Sequence, residues 1–285
     1  MHGTIIAAHG RQYRVELADG SIVSCFTRGK KSEVACGDEV EIQRSGDGGV
    51  IDRISPRRSL LYRSNAFKEK LIAANVTQIV IVVATEPSFS DELVTRCLTA
   101  AESQHIKPLI VLNKSDLTDR LPAAEATLAP ITHLGYPTLK LCARTDVETL
   151  RPYLRGETSV LVGQSGMGKS TLTNALIPHA QATTREISLA LDSGKHTTTH
   201  ATLYRLDAQS ALIDSPGLQE FGLHHLSPTD IEQAFPEFRP LLGQCRFRNC
   251  RHDREPDCAL RAAVENGTID SRRFSTFHAL IAETG

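Results

Sequence analysis

Hydrophobic positions in this chain follow two rhythms. Over the first sixty residues they alternate with polar ones, in Thr4-Ile5-Ile6-Ala7-Ala8, Tyr13-Arg14-Val15-Glu16-Leu17, Ser21-Ile22-Val23-Ser24-Cys25-Phe26, Glu39-Val40-Glu41-Ile42 and Val50-Ile51-Asp52-Arg53-Ile54. A period of two with β-branched enrichment predicts five short strands, turned by Ala18-Asp19-Gly20 and Gly46-Asp47-Gly48-Gly49. Five strands in so short a span predict a closed barrel of the oligonucleotide-binding type, since an open sheet would leave its edges unpaired. Such a barrel serves either RNA contact or protein contact; Arg28, Lys30, Lys31, Arg57 and Arg58 are the candidate phosphate contacts.

From about residue 65 the rhythm changes. Gln78-Ile79-Val80-Ile81-Val82-Val83-Ala84 is a continuous apolar run, expected of a parallel strand covered on both faces. Ser90 is placed to cap a following helix, with Asp91 and Glu92 in its first turn and Leu93, Cys97, Leu98 and Ala101 on its buried side. Leu109-Ile110-Val111-Leu112, Ser159-Val160-Leu161-Val162 and Ala211-Leu212-Ile213 are further strands. Beyond Phe221 the pattern becomes helical, with a start at Pro228-Thr229-Asp230-Ile231 and a closing amphipathic segment over 271–281. The expected architecture is an all-β barrel over 1–62, an α/β domain over 63–225 and a small, mostly α tail over 226–285.

Each of the three inner strands runs straight into a polar motif. Asn113-Lys114-Ser115-Asp116 follows the first, Gly163-Gln164-Ser165-Gly166-Met167-Gly168-Lys169-Ser170 the second, and Asp214-Ser215-Pro216-Gly217 the third. Ligands of open α/β sheets sit at the carboxyl ends of strands, so the three are expected to converge on one crevice. The second is a phosphate loop whose glycines let backbone N–H groups turn inward; Lys169 is expected at the β- and γ-phosphates, Ser170 on Mg²⁺ and Thr171 near the α-phosphate. Asp116 selects the base, because its carboxylate accepts from both N1–H and the 2-amino group of guanine and adenine offers no such pair. Asn113 is expected at the ring edge, with the stem of Lys114 along the base and Cys142-Ala143 behind it. Asp214 and the Gly217 N–H are the expected sensors of Mg²⁺ and the γ-phosphate. These are the parts of a GTPase set in rotated order, with the base-reading motif ahead of the phosphate loop.

Gly194-Lys195-His196-Thr197-Thr198-Thr199 lies where the first switch belongs, and Thr198 or Thr199 is expected to complete the Mg²⁺ shell. Leu218 stands where many GTPases carry a water-positioning glutamine. His196 is the candidate replacement, against the plainer reading of a solvated switch residue.

Composition adds less. A formal net charge of −1 over 285 residues gives no global field for nucleic acid, so any such contact must come from local patches. No stretch reads as a signal peptide or a membrane span, which predicts a cytoplasmic protein. Of the seven cysteines, Cys25, Cys36, Cys97 and Cys142 are scattered, while Cys245, Cys250 and Cys258 cluster about His252. Three thiolates and an imidazole form a full tetrahedral set for one structural Zn²⁺. Arg246, Arg248, Arg251 and Arg254 around them suit either phosphate contact or plain solvation.

On these motifs the chain resembles the circularly permuted GTPases of the ribosome small subunit-dependent GTPase A family, over essentially its whole length. Gly194 to Thr199 is similar to that family's first switch, and the family's tail carries the same four metal ligands. Cys142 stands in place of the usual serine, and Asp192-Ser193 in place of a more glycine-rich run. The resemblance implies a bacterial factor, expected as a monomer, that acts in late maturation of the small (30S) ribosomal subunit. It also implies contact with the rRNA and GTP hydrolysis to GDP stimulated by that subunit. Two rivals are a nucleotide-dependent RNA-binding chaperone with incidental hydrolysis, and a P-loop kinase, which would have no use for Asp116.

Overall fold

The computed structural model describes residues 1–9, 12–28, 33–63, 70–177, 201–215, 218, 219 and 221–284. Five strands, β1 (His2–His9), β2 (Gln12–Leu17), β3 (Ile22–Thr27), β4 (Glu39–Ser45) and β5 (Gly48–Ile54), run in the order β1-β2-β3-β5-β4, and β4 pairs back onto β1. That closure removes the free edges an open five-stranded sheet would carry. The predicted alternation places Tyr13, Val15 and Leu17 of β2 inside, packed with Ile5, Cys25, Val40, Ile42 and Ile51.

The expected phosphate contact at Arg57 is overturned by its partners. Its guanidinium forks onto Asp38, with Nε and Nη2 each donating at 2.7 Å, and Asp38 is fully buried while also accepting the Ala35 N–H at 2.7 Å. A buried carboxylate needs such a counter-charge, so Arg57 clasps the chain leaving the barrel and is not open to a ligand. Arg28 donates to Gln43 at 2.6 Å and stays exposed; Lys30 and Lys31 lie outside the described residues.

A hairpin of β6 (Leu60–Arg63) and β7 (Lys70–Ala74) leads into the second sheet. Strands β8 (Gln78–Ala84), β9 (Lys107–Asn113), β10 (Thr138–Lys140), β11 (Thr158–Val162), β12 (Thr202–Arg205) and β13 (Ala211–Asp214) lie in the order β10-β9-β8-β11-β13-β12, parallel except for β12. All seven residues of β8 are buried. Its side chains divide by parity: Ile79, Ile81 and Val83 join one core, Val80, Val82 and Ala84 the other. Helices α1 (Asp91–Ser103) and α2 (Leu121–Thr132) cover the first face; α3 (Arg151–Leu154) and α4 (Lys169–Leu176) cover the second. Ser90 caps α1 by accepting the Leu93 N–H.

Two features go beyond the expected plan. Ala7 of β1 pairs with Thr202 of β12, so barrel and parallel sheet form one 11-stranded sheet, reinforced by Arg205 Nε donating to Glu16 at 2.8 Å. The tail helices α5 (Pro228–Gln233), α6 (Ala259–Glu265) and α7 (Ser271–Thr284) share a core with the α1 face of the sheet. Phe235, Phe238 and Phe277 are buried there, each worth roughly 1.5–3 kcal/mol over exposure. Beside them Arg273 forks onto Glu237, lies over the Phe235 ring at 4.7 Å and donates to Thr95 of α1 at 3.2 Å. Among the described residues no helix is long and apolar enough to cross a membrane.

Candidate nucleotide and metal sites

Because β9, β11 and β13 are parallel neighbours of β8 or of one another, their carboxyl ends share one rim of the sheet. From β8 the chain runs outward to β9 and β10, then returns across to β11, so the order reverses between β8 and β11. Ligands of such sheets bind in the crevice at that reversal. Gly163, directly after β11, is pressed against β8: a Cβ there would stand 2.1 Å from the Val82 carbonyl oxygen.

Hydrogen bonds tie the motifs to each other. Asn113 is 1% exposed; its Nδ2 donates to the Met167 carbonyl at 2.9 Å, and its Oδ1 accepts the Ala143 N–H at 2.9 Å. Its amide therefore staples the base-reading segment to the phosphate loop and to the turn after β10, with one Nδ2 N–H engaged by the Met167 carbonyl. Lys114 donates to the Glu86 carbonyl at 2.6 Å, and Asp116 stands exposed at the rim. Gln164 Oε1 accepts the Ser90 N–H at 3.1 Å, fastening the phosphate loop to the start of α1.

Lys169 opens α4 and donates to the carbonyls of Gly163 and, at 3.0 Å, Gln164. Burial lowers its pKa, opposed by the nearby Asp214 carboxylate; burial raises that of Asp214, opposed by Lys169. Desolvation outweighs the mutual attraction for both groups. Ser170 and Thr171 follow in the first turn of α4 and are exposed, while Ser165 and Gly166 lie on the outer side of the loop. The Ser170 hydroxyl and Asp214 carboxylate are hard oxygen donors of the kind Mg²⁺ takes. Leu218 is fully buried in the shared core and reaches no water. Gly217, His196, Thr198 and Thr199 lie outside the described residues.

Gly168 has φ +96°, and a Cβ there would stand 2.2 Å from Asn113 Nδ2. Gly168→Ala should therefore break the staple as well as strain the loop. Titration with fluorescent GDP should show at least a roughly tenfold weaker Kd. An unchanged Kd would mean that loop and staple are not joined as described.

In the tail, the ligand atoms of Cys245, Cys250, His252 and Cys258 all lie within 4.8 Å of one another. His252 Nδ1 is 3.5 Å from Cys245 Sγ and 3.3 Å from Cys258 Sγ, and the two sulfurs are 3.9 Å apart. Metal–sulfur bonds of about 2.3 Å in a tetrahedron would place sulfurs about 3.8 Å apart, so the cluster fits one ion. His252 Nε2 faces Glu232 of α5 at 3.4 Å, an outer carboxylate that orients the ring and that sequence reading missed. Its only signal was an acid on a helix twenty residues upstream. Glu255 accepts the N–H groups of Arg251, Asp253 and Arg254, folding the ligand loop, and these bonds hold its carboxyl down at about 2. The four arginines around the cluster are exposed; Arg246 pairs with Asp257 at 3.0 Å.

Comparisons with known proteins agree with this geometry. The profile described as RsgA GTPase matches residues 54–224. The "Small ribosomal subunit biogenesis GTPase RsgA" of Nitrosomonas europaea is 54% identical over 98% of this chain and 90% of its own length. The protein of the same name from Nitrosospira multiformis is 55% identical over 99% and 90%. Among solved structures, YjeQ from Thermotoga maritima matches with a TM-score of 0.76 at 30% identity, covering 99% of this chain and 98% of that one. YloQ, described as a circularly permuted GTPase, matches with a TM-score of 0.71 at 26% identity, over 99% and 94%. With the permuted order of motifs, the closed barrel and the cysteine–histidine tail, these matches establish that the chain belongs to the RsgA GTPase family.

Proposed function

We propose that this protein binds the small (30S) ribosomal subunit and assists its late maturation, hydrolysing GTP to GDP and phosphate with stimulation by the subunit. The observation that carries this reading is the Asn113 staple, which draws a base-reading segment and a phosphate loop from a rotated chain order into one crevice. The names of the Nitrosomonas and Nitrosospira relatives point to the same subunit.

In this reading Asp116 accepts from the guanine edge, and the backbone of Gly163, Gln164, Ser165, Gly166, Met167 and Gly168 cradles the phosphates. Lys169 neutralises β- and γ-phosphate charge, while Thr171 stands by the α-phosphate. Ser170 with Thr198 or Thr199 would hold Mg²⁺, which supplies further charge neutralisation when bound. The Gly217 N–H reads the γ-phosphate, and His196 orients the attacking water in place of the buried Leu218. The tail ion is a structural Zn²⁺, whose four protein ligands leave no position for water. The proposed units are a barrel over 1–62, a nucleotide domain over 63–225 and a metal-binding tail over 226–285, in a cytoplasmic monomer. Exposed arginines around the metal site contact rRNA phosphates.

Leu218, Phe221 and Leu223 belong to the core shared with the tail, so the segment after Asp214 connects γ-phosphate sensing to tail placement. Sedimentation with purified small subunits tests the connection. Binding with a non-hydrolysable GTP analogue should be at least about tenfold tighter than with GDP, a coupling of about 1.4 kcal/mol. Equal affinity in the two states would refute it.

A further inference from the structure

The metal loop carries an aromatic ring outward. Phe221, Phe235, Phe238 and Phe277 are buried, whereas Phe247, between two of the metal ligands, is 42% exposed. The backbone around the ring is pinned. Cys245 and Cys250 of the cluster stand on either side of it, and the Phe247 carbonyl accepts the Cys250 N–H at 3.2 Å. The Arg246 N–H crosses to the Asp257 carbonyl at 3.2 Å, joining the two arms of the loop. The Arg246 guanidinium lies over the ring, 5.5 Å from its centroid, and is tethered in turn by the Asp257 carboxylate. A cation seated on one face of a ring helps to fix its orientation. The ring therefore meets solvent already ordered, which lowers the entropy lost when a ligand binds it.

Charge around the ring decides what it meets. Arg246 pairs with Asp257, Arg254 lies 3.6 Å from Asp253, and Glu255 is occupied by backbone N–H groups. Arg248, the residue after the ring, and Arg251 are exposed and meet no carboxylate among the described residues. An apolar pocket on a protein would have to desolvate these guanidinium groups along with the ring, at a large penalty. A nucleotide answers both features at once, with a π-face for the ring and phosphate oxygens for the guanidinium groups. A base inside a duplex is already stacked and has no face to offer. We infer that Phe247 is a stacking platform for an unpaired RNA base, with Arg248 and Arg251 on the phosphates beside it. This inference rests on the rRNA reading of the tail and deepens it, since it makes a single-stranded segment the target.

The chain contains no tryptophan, so Phe247→Trp places a single indole at the platform. A short single-stranded oligouridylate, whose bases stack little on one another, should quench that indole in the full, metal-loaded chain; an RNA duplex of the same length should not. By anisotropy of the labelled strand, Phe247→Ala should bind about tenfold more weakly with an unchanged salt dependence, since no charge is lost. Phe247→Trp should bind at least as tightly as the unaltered chain. Arg248→Gln should weaken binding and flatten the salt dependence by about one phosphate contact. Metal content and GDP affinity should stay unchanged in all three, which a damaged tail would not allow. An indole left unquenched by a bound strand, or a strand held as tightly by Phe247→Ala as by the unaltered chain, overturns the platform. Loss of small-subunit binding in Phe247→Ala with strand binding intact would do so too, by assigning the ring to a protein. A strand that the unaltered chain does not bind also overturns it, and a chain that ignores the small subunit as well contradicts the reading beneath.

Discussion

Lys169→Ala is expected to reduce GTP turnover at saturating small subunit by at least about a hundredfold, a loss of roughly 3 kcal/mol of transition-state stabilisation. Lys169 is a half-buried cation of the crevice, held inside the loop by the Gly163 and Gln164 carbonyls. Removing it subtracts the charge that meets the transferring phosphoryl group. It also leaves the half-buried Asp214 carboxylate, already pushed up by burial, without the charge that now opposes that shift. GDP affinity should fall as well, because the β-phosphate loses the same partner. Single-turnover rates beside equilibrium binding separate the two losses, and a variant with unimpaired turnover would remove Lys169 from the mechanism.

The second large effect concerns the tail. Cys258 is 4% exposed and is both a member of the cysteine–histidine cluster and part of the core shared with the sheet. Cys258→Ser should abolish stoichiometric metal binding, measured by atomic emission. It should also lower the thermal midpoint by roughly 10 °C or more, because a closed structural site contributes folding energy directly. The damage should not stay local. The α7 side chain Arg273 bonds Thr95 of α1, and the N-terminus of α1 is held by Gln164 of the phosphate loop. Weaker GDP binding in the same variant is therefore expected. Glu232→Gln should be milder, costing about 10–100-fold in metal affinity while the fold persists, because it removes only the carboxylate behind His252. Full metal content and an unchanged midpoint in Cys258→Ser would contradict the cluster as a structural centre.

The parts legible in the sequence were those whose signal is local. The alternation in β2 named its inward residues, the unbroken run in β8 announced a strand covered on both faces, and the motifs stood where strands ended. The metal cluster was readable because its four ligands lie within fourteen positions of one another. What stayed hidden depends on partners far along the chain. Four residues of β12 carry no pattern that points to β1, yet the Ala7–Thr202 pairing joins two sheets into one. Arg57 reads in sequence like any exposed cation, and only the fold reveals that the buried Asp38 takes the Nε–Nη2 edge of its guanidinium. The type of Asn113 suggests a base edge, but nothing local shows that its position at the buried end of β9 also gives it the phosphate loop as a partner. The tail read as a separate module since its helices are amphipathic in isolation; only packing reveals that their apolar face completes the core over α1.

The most direct test of the account is steady-state turnover of GTP and of ATP by the full chain, with and without purified small ribosomal subunits. One guanine site responsive to that subunit predicts slow GTP hydrolysis alone, a rise of at least about tenfold on adding the subunit, and negligible ATP cleavage throughout. ATP hydrolysed as readily as GTP, or a GTP rate indifferent to the small subunit, would contradict it.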